Sequence, residues 1–148
     1  MQYLGNKDIL QLQKTGFLCS RKCPADVVLK SFDWAKQQRV QGNCIVCGNH
    51  SQIEKDVFEI LIKGKQPLIL VLARGMKKRF DPSIQKALHE NRLLIISPFS
   101  DNEKRVTREL SEKRNQEILA ISNHIKIGYI AKDGQLDKLL NEKQYENI

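Results

Sequence analysis

Basic and hydroxyl-bearing side chains recur at one kind of place in this sequence, directly after short apolar runs. Ser20, Arg21 and Lys22 follow Phe17-Leu18-Cys19. Gly48, Asn49, His50 and Ser51 follow Cys44-Ile45-Val46-Cys47. Arg74, Gly75, Lys77, Lys78 and Arg79 follow the run from Pro67 to Ala73, and Ser97, Pro98, Phe99 and Ser100 follow Leu93-Leu94-Ile95-Ile96. Guanidinium, ammonium, hydroxyl and backbone amide groups are the donors that suit anionic oxygens. No carboxylate stands out among them to act as a base, so the set suits holding phosphate rather than cleaving a bond. The plain alternative is that the loops of a basic chain are polar and basic by default. His50 is the one histidine in these loops and reads as a solvated side chain rather than a catalytic one.

Arg114 is out of place. Val106, Leu110, Ile118 and Ile121 define the apolar stripe of a helix from about Asn102 to Ser122, and Arg114 falls inside that stripe. An arginine there either reaches an anionic partner or marks a helix break that resets the phase, and the spacing leaves both readings open. The four cysteines, Cys19-x3-Cys23 and Cys44-x2-Cys47, approximate a tetrahedral zinc pattern. Alternation along a strand would send Cys44 and Cys47 to opposite faces, so buried, hydrophobe-like thiols are expected, with a zinc-binding structural module as an alternative. The Gly-x-Gly-x-x-Gly and Walker signatures do not occur, and Ser20, Ser51 and Ser97 belong to no legible Ser-His-Asp arrangement. No catalytic residue, cofactor or metal is expected.

Elements that position these residues follow from the apolar periodicity. Strands are expected at Phe17–Cys19, Cys44–Cys47, Pro67–Ala73, Leu93–Ile96 and, as an edge, Ile125–Ile130. Helices are expected with Val28, Leu29, Phe32 and Ala35 inward and Pro24 in the opening turn; with Ile53, Val57, Ile60 and Leu61 inward behind a Ser51/Glu54 capping box; and after Asp81-Pro82. A short helix or turn spans Gly134 to Leu140. Strands alternating with helices imply an α/β, Rossmann-like open and mainly parallel sheet with helices on both faces. In such a sheet ligands bind beyond the carboxyl ends of the strands, near helix N-termini. Residues 1–141 are expected to form one domain and 142–148 a frayed tail. The formal net charge of +8 favours a polyanionic partner. The N-terminal stretch lacks a signal-peptide core and no apolar run is long enough to span a bilayer, so a cytoplasmic protein with no membrane partner is expected.

The chain resembles the DNA-processing protein A (DprA/Smf) family, in its Rossmann-like domain only. The resemblance rests on Tyr3-Leu4-Gly5-Asn6 ahead of a strand ending Cys19-Ser20-Arg21, on Cys47-Gly48-Asn49-His50-Ser51-Gln52-Ile53-Glu54, and on Leu72-Ala73-Arg74-Gly75-Met76. Leu94-Ile95-Ile96-Ser97-Pro98 and Arg114-Asn115-Gln116-Glu117-Ile118-Leu119-Ala120-Ile121-Ser122 complete it. These segments keep the family's order from about Tyr3 to Leu136. Cys19 stands where the family has glycine, Glu54 where it has aspartate, and Gln116 where it has arginine. The resemblance implies single-stranded DNA or nucleotide phosphates bound at the strand ends, in recombination or DNA uptake, with RecA as a partner. Ser20, Arg21, Gly48, Arg114 and Asn115 fall on matching motif positions, whereas Lys77, Lys78 and Arg79 are assigned on charge alone. A small-nucleotide sensor or enzyme of a related Rossmann-like family is the alternative. Pairing with a second copy of the chain stays open.

Overall fold

Short runs of buried apolar residues become the central strands of a single sheet in the computed structural model, which describes residues 1–140 and 144–148. The strands are β1 (Gln2–Gly5), β2 (Lys14–Leu18), β3 (Cys44–Cys47), β4 (Leu68–Val71), β5 (Leu93–Ser97), β6 (His124–Ile127) and β7 (Glu146–Asn147). Between them lie a 3-10 turn at Lys7–Gln11 and the helices α1 (Ala25–Gln41), α2 (Gln52–Ile62), α3 (Pro82–His89), α4 (Arg108–Ile121) and α5 (Gln135–Leu139). The spatial order is β1-β5-β4-β3-β2-β6-β7. All neighbours are parallel except β1, which runs antiparallel to β5. The fold is thus α/β and Rossmann-like.

The central strands β2 to β5 are buried on both faces, and their alternate side chains sort into two cores. Phe17, Ile45, Cys47, Leu68, Leu70, Leu93 and Ile95 pack with Trp34 and Ala35 of α1, Val57, Phe58 and Leu61 of α2, and Ala87 of α3. Phe17 and Trp34 stack with ring centroids 5.1 Å apart. Leu18, Cys44, Val46, Ile69, Val71, Leu94 and Ile96 face the other way, toward Ile9, Ile118 of α4 and Leu136 of α5. From β2 the chain steps outward through β3, β4 and β5, then returns to lay β6 on the other side of β2. The reversal opens a crevice at the carboxyl ends of β2 and β6.

Several expectations need correction. The helix expected from Asn102 begins at Arg108, because Thr107 is its N-cap: the Thr107 hydroxyl accepts from the Leu110 amide at 3.2 Å. Val106, placed on that helix's stripe, stands outside it and is 54% exposed. The helix runs unbroken through Arg114, which excludes the phase reset. Leu29 is 66% exposed; the inward face of α1 is completed by Ser31 and Trp34 instead. Strands β1 and β7 were not expected, and β7 pairs with β6, so β6 is no edge and residues 146–147 of the expected tail are a strand. Glu142 and Lys143 of that expected tail, and the domain limit at Asn141, lie outside the described residues.

Candidate functional site

The crevice holds a cavity of about 470 Å3. Its walls come from four places: the loop after β2 (Cys19, Ser20, Arg21, Lys22), the loop after β3 with the start of α2 (His50, Glu54), the start of α4 with the residue before its cap (Val106, Thr107, Arg108, Ser111, Asn115), and the segment after β6 (Ala131, Gly134, Gln135, Leu136). The volume falls within the range of small-molecule sites, about 300–1,000 Å3. Loops from the two sides of the reversal are stitched together. The Ser20 amide donates to the Tyr129 carbonyl at 2.9 Å, and the Ser20 hydroxyl accepts from the Ala131 amide at 2.9 Å.

Two buried charged residues, Glu54 and Arg114, brace the loops around the cavity. Ser51 and Glu54 form a complete capping box at the start of α2, and the Glu54 side chain does more than close it. One carboxylate oxygen accepts from the His50 amide at 2.9 Å and from the Ser51 amide at 3.4 Å; the other accepts from the Cys19 amide at 2.9 Å. Glu54 therefore ties the end of β2 to the loop after β3. Arg114, only 2% exposed, donates from Nη1 to the Gly48 carbonyl at 2.5 Å and from Nε to Asn115 Oδ1 at 2.9 Å. Burial raises the Glu54 carboxyl and lowers the Arg114 guanidinium, and the attraction between the two opposes both shifts. Position 48 must be glycine for this arrangement, since a β-carbon there would sit 2.8 Å from Arg114 Nε.

His50 hangs between two partners. Arg21 Nη2 lies 3.2 Å from its Nε2, and Ser111 Oγ lies 3.5 Å from its Nδ1. Burial, then the positive charges of Arg114, Arg21 and Lys55, push the imidazole down to about 4. His50 is thus neutral at physiological pH, and it belongs to the cavity wall rather than to bulk solvent.

Of the residues singled out in the sequence, Ser20, Arg21, Lys22, His50 and Asn115 line the cavity. Ser51 is buried with its hydroxyl accepting from the Glu54 amide at 3.2 Å; Gly48 and Arg114 are also buried and outside the lining, joined to it through Asn115. Asn49 is half-buried in a left-handed conformation, φ 53°. Arg74, Gly75, Lys77, Lys78 and Arg79 are not part of the lining: they follow β4, two strands from β2 and so roughly 10 Å along the sheet. Arg74 donates to the Gly75 carbonyl at 3.2 Å, Gly75 donates to the Glu103 carbonyl at 2.7 Å, and Lys77 to Arg79 are exposed. The expectation that no carboxylate stands at the site is corrected by Glu54, which the capping-box motif had already marked. Thr107, Arg108, Ser111 and Gln135 were missed, because only the return of β6 beside β2 brings α4 and α5 to the cavity.

The cysteines do not make a tetrahedral set. Cys44 lies in the core with α4 and Cys47 in the core with α1 and α2, so the sheet separates them. Burial pushes the Cys19 and Cys44 thiols up to about 12 and the Cys47 thiol higher still. Among the described residues no three histidine, cysteine, aspartate or glutamate side chains gather as metal ligands, and no helix is long and apolar enough to cross a membrane.

No protein-family model and no curated protein matches this sequence. Solved structures do. DNA processing protein A from Streptococcus pneumoniae superposes with a TM-score of 0.67 at 19% identity, over 99% of this chain and 62% of that one. The chain therefore spans less than two thirds of that protein's length. DNA processing protein A from Helicobacter pylori, described for its single-stranded DNA binding mode, gives 0.69 at 15% identity over 99% of this chain and 80% of that one. The Rossmann-like fold is of the DprA type.

Proposed function

We propose that this domain binds single-stranded DNA by holding phosphate in the cavity between the ends of β2 and β6, without catalysis of its own. One observation carries the reading. Three cationic side chains, Arg21, Lys22 and Arg108, surround one cavity whose lining carboxylate, Glu54, is already engaged by three backbone amides. Ser20, Ser111, Thr107 and Asn115 supply neutral donors; Asn115 has its oxygen occupied by Arg114, so its NH2 group is what it offers. Gly48, Asn49, Ser51 and Arg114 stand behind that wall and hold its residues in place. Arg74, Gly75, Lys77, Lys78 and Arg79 form a second, shallower contact for a strand leaving the cavity. The single-stranded DNA binding of the Helicobacter pylori neighbour supports the choice of ligand. The family resemblance supports a role in recombination or DNA uptake in the cytoplasm, with RecA as a partner.

The test is strand binding at about 50 and 200 mM salt. Three phosphate contacts predict a slope of log affinity against log salt of about −2 for a single strand, or roughly twentyfold weaker binding across that interval. Arg21→Ala should flatten the slope by about 0.7; affinity indifferent both to salt and to Arg21→Ala rejects the reading. The volume of the cavity, within the range of small-molecule sites, favours a second reading, a small-nucleotide sensor. A thermal shift with mononucleotides but no strand binding would select it, since a ligand held only by the folded state raises the melting point.

A further inference from the structure

His50 faces Arg21 in a way that constrains which phosphate the cavity accepts. A guanidinium can only donate, so the 3.2 Å contact from Arg21 Nη2 leaves His50 Nε2 as an acceptor. The imidazole proton then sits on Nδ1, directed at Ser111 Oγ 3.5 Å away. The charged and titratable groups around this ring are Arg21 from the loop after β2, Lys55 and Glu54 from α2, and Arg114 from α4. Three of the four are cations, and burial first, then these charges, hold the ring neutral.

An anion that draws to itself the Nη2 edge of Arg21, the edge that faces His50, takes that donor away from the ring. Nε2 is then a lone pair without a donor. An internal phosphodiester has two free oxygens, both acceptors, and no proton to offer. A phosphomonoester has three free oxygens, a charge of about −1.5 to −2 at neutral pH, and a last proton lost near pH 6, which can sit on the line between a phosphate oxygen and Nε2. A further donor points the same way. Gln135 Nε2, on a residue of the cavity wall, is buried with no hydrogen-bond acceptor, and a third phosphate oxygen would satisfy it.

We propose that the cavity takes a terminal phosphomonoester, at a strand end or on a free mononucleotide, in preference to an internal diester, with His50 sharing the ester's last proton. No covalent bond changes: one proton moves along a hydrogen bond. This rests on the phosphate-binding reading above and narrows its ligand.

The experiment is a competition assay with the full chain and a fluorescent oligothymidine, using unlabelled strands with a 5′-phosphate, a 3′-phosphate or neither, and thymidine monophosphate. One phosphorylated end is expected to compete about tenfold better than the hydroxyl-ended strand, a difference of about 1.4 kcal/mol. In His50→Ala that ratio should fall to about one, whatever the absolute affinity. Equal competition by the three strands overturns this inference and leaves strand binding intact, as does a preference that survives in His50→Ala. If the labelled strand does not bind at all, the reading beneath fails. Titrating thymidine monophosphate against the dinucleoside phosphate TpT, with the His50 imidazole followed by NMR, still decides the point. The monoester should move the Nε2 resonance and the diester should not; the reverse, or no response to either, overturns the inference.

Discussion

At the scale of residues, burial shifts the protonation equilibria of the groups around the site. His50 is the clearest, because its folded value of about 4 lies below the ordinary 6.5. The unfolded chain therefore takes up this proton first as pH falls, so the His50 contribution to stability is complete above about pH 6.5 and is lost progressively toward pH 4. Glu54 acts in the opposite sense, since burial raises its carboxyl: its folded state binds the proton more readily, and that contribution is lost as pH rises through the raised value. Comparison with His50→Gln isolates the histidine. Urea unfolding across this pH range should show wild-type stability relative to the variant growing with pH, and a difference that ignores pH would remove the claim. Much of this was legible in part only. Arg114 announced itself by sitting in an apolar stripe, but its partners, the Gly48 carbonyl and Asn115, lie on separate elements or point in a direction that spacing does not fix.

At the scale of elements, the best-read junction is the one where local chemistry decides the geometry. Ser51 and Glu54 are close in sequence, and their reciprocal hydrogen bonds need no tertiary information. Ser51→Ala should lower stability by about 1 kcal/mol, read from the urea midpoint; because Glu54 also holds the Cys19 and His50 amides, Glu54→Ala should cost more than Ser51→Ala. Equal losses would mean that the carboxylate only caps. Elements whose pattern is weak were misread for a physical reason. The segment before α4 is exposed from Ser100 to Thr107 and polar but for Val106, whose spacing to Leu110 imitates a helical stripe although the helix starts only at Arg108. Strand β1 escaped notice because exposed side chains dominate it and it is held by backbone pairing to β5, with Gly5 at φ 104° under the Leu93 carbonyl.

At the scale of the whole molecule, the alternation of strands and helices was enough to predict the parallel sheet, but not which strands are neighbours. That is why the loops after β2, β3 and β4 were all expected at one site, while in the structure the first two line the cavity and the third does not. The sheet also sets the pattern of local stability. Strands β3 and β4 lie centrally with all their side chains buried, so their amides should exchange with deuterium only through global unfolding, whereas β1 and the two-residue β7 at the edges should exchange much sooner. Mass spectrometry of labelled peptides checks this, and central strands exchanging as fast as the edges would contradict it. The stitch from Ala131 to Ser20 joins residues 111 positions apart. As the polypeptide leaves the ribosome, β2 to β5 and their basic loops are made first, with one wall of the receptacle still missing. The cavity is then completed in one late event, when β6 docks, and a message cut short before that point yields a charged fragment whose receptacle stays unclosed.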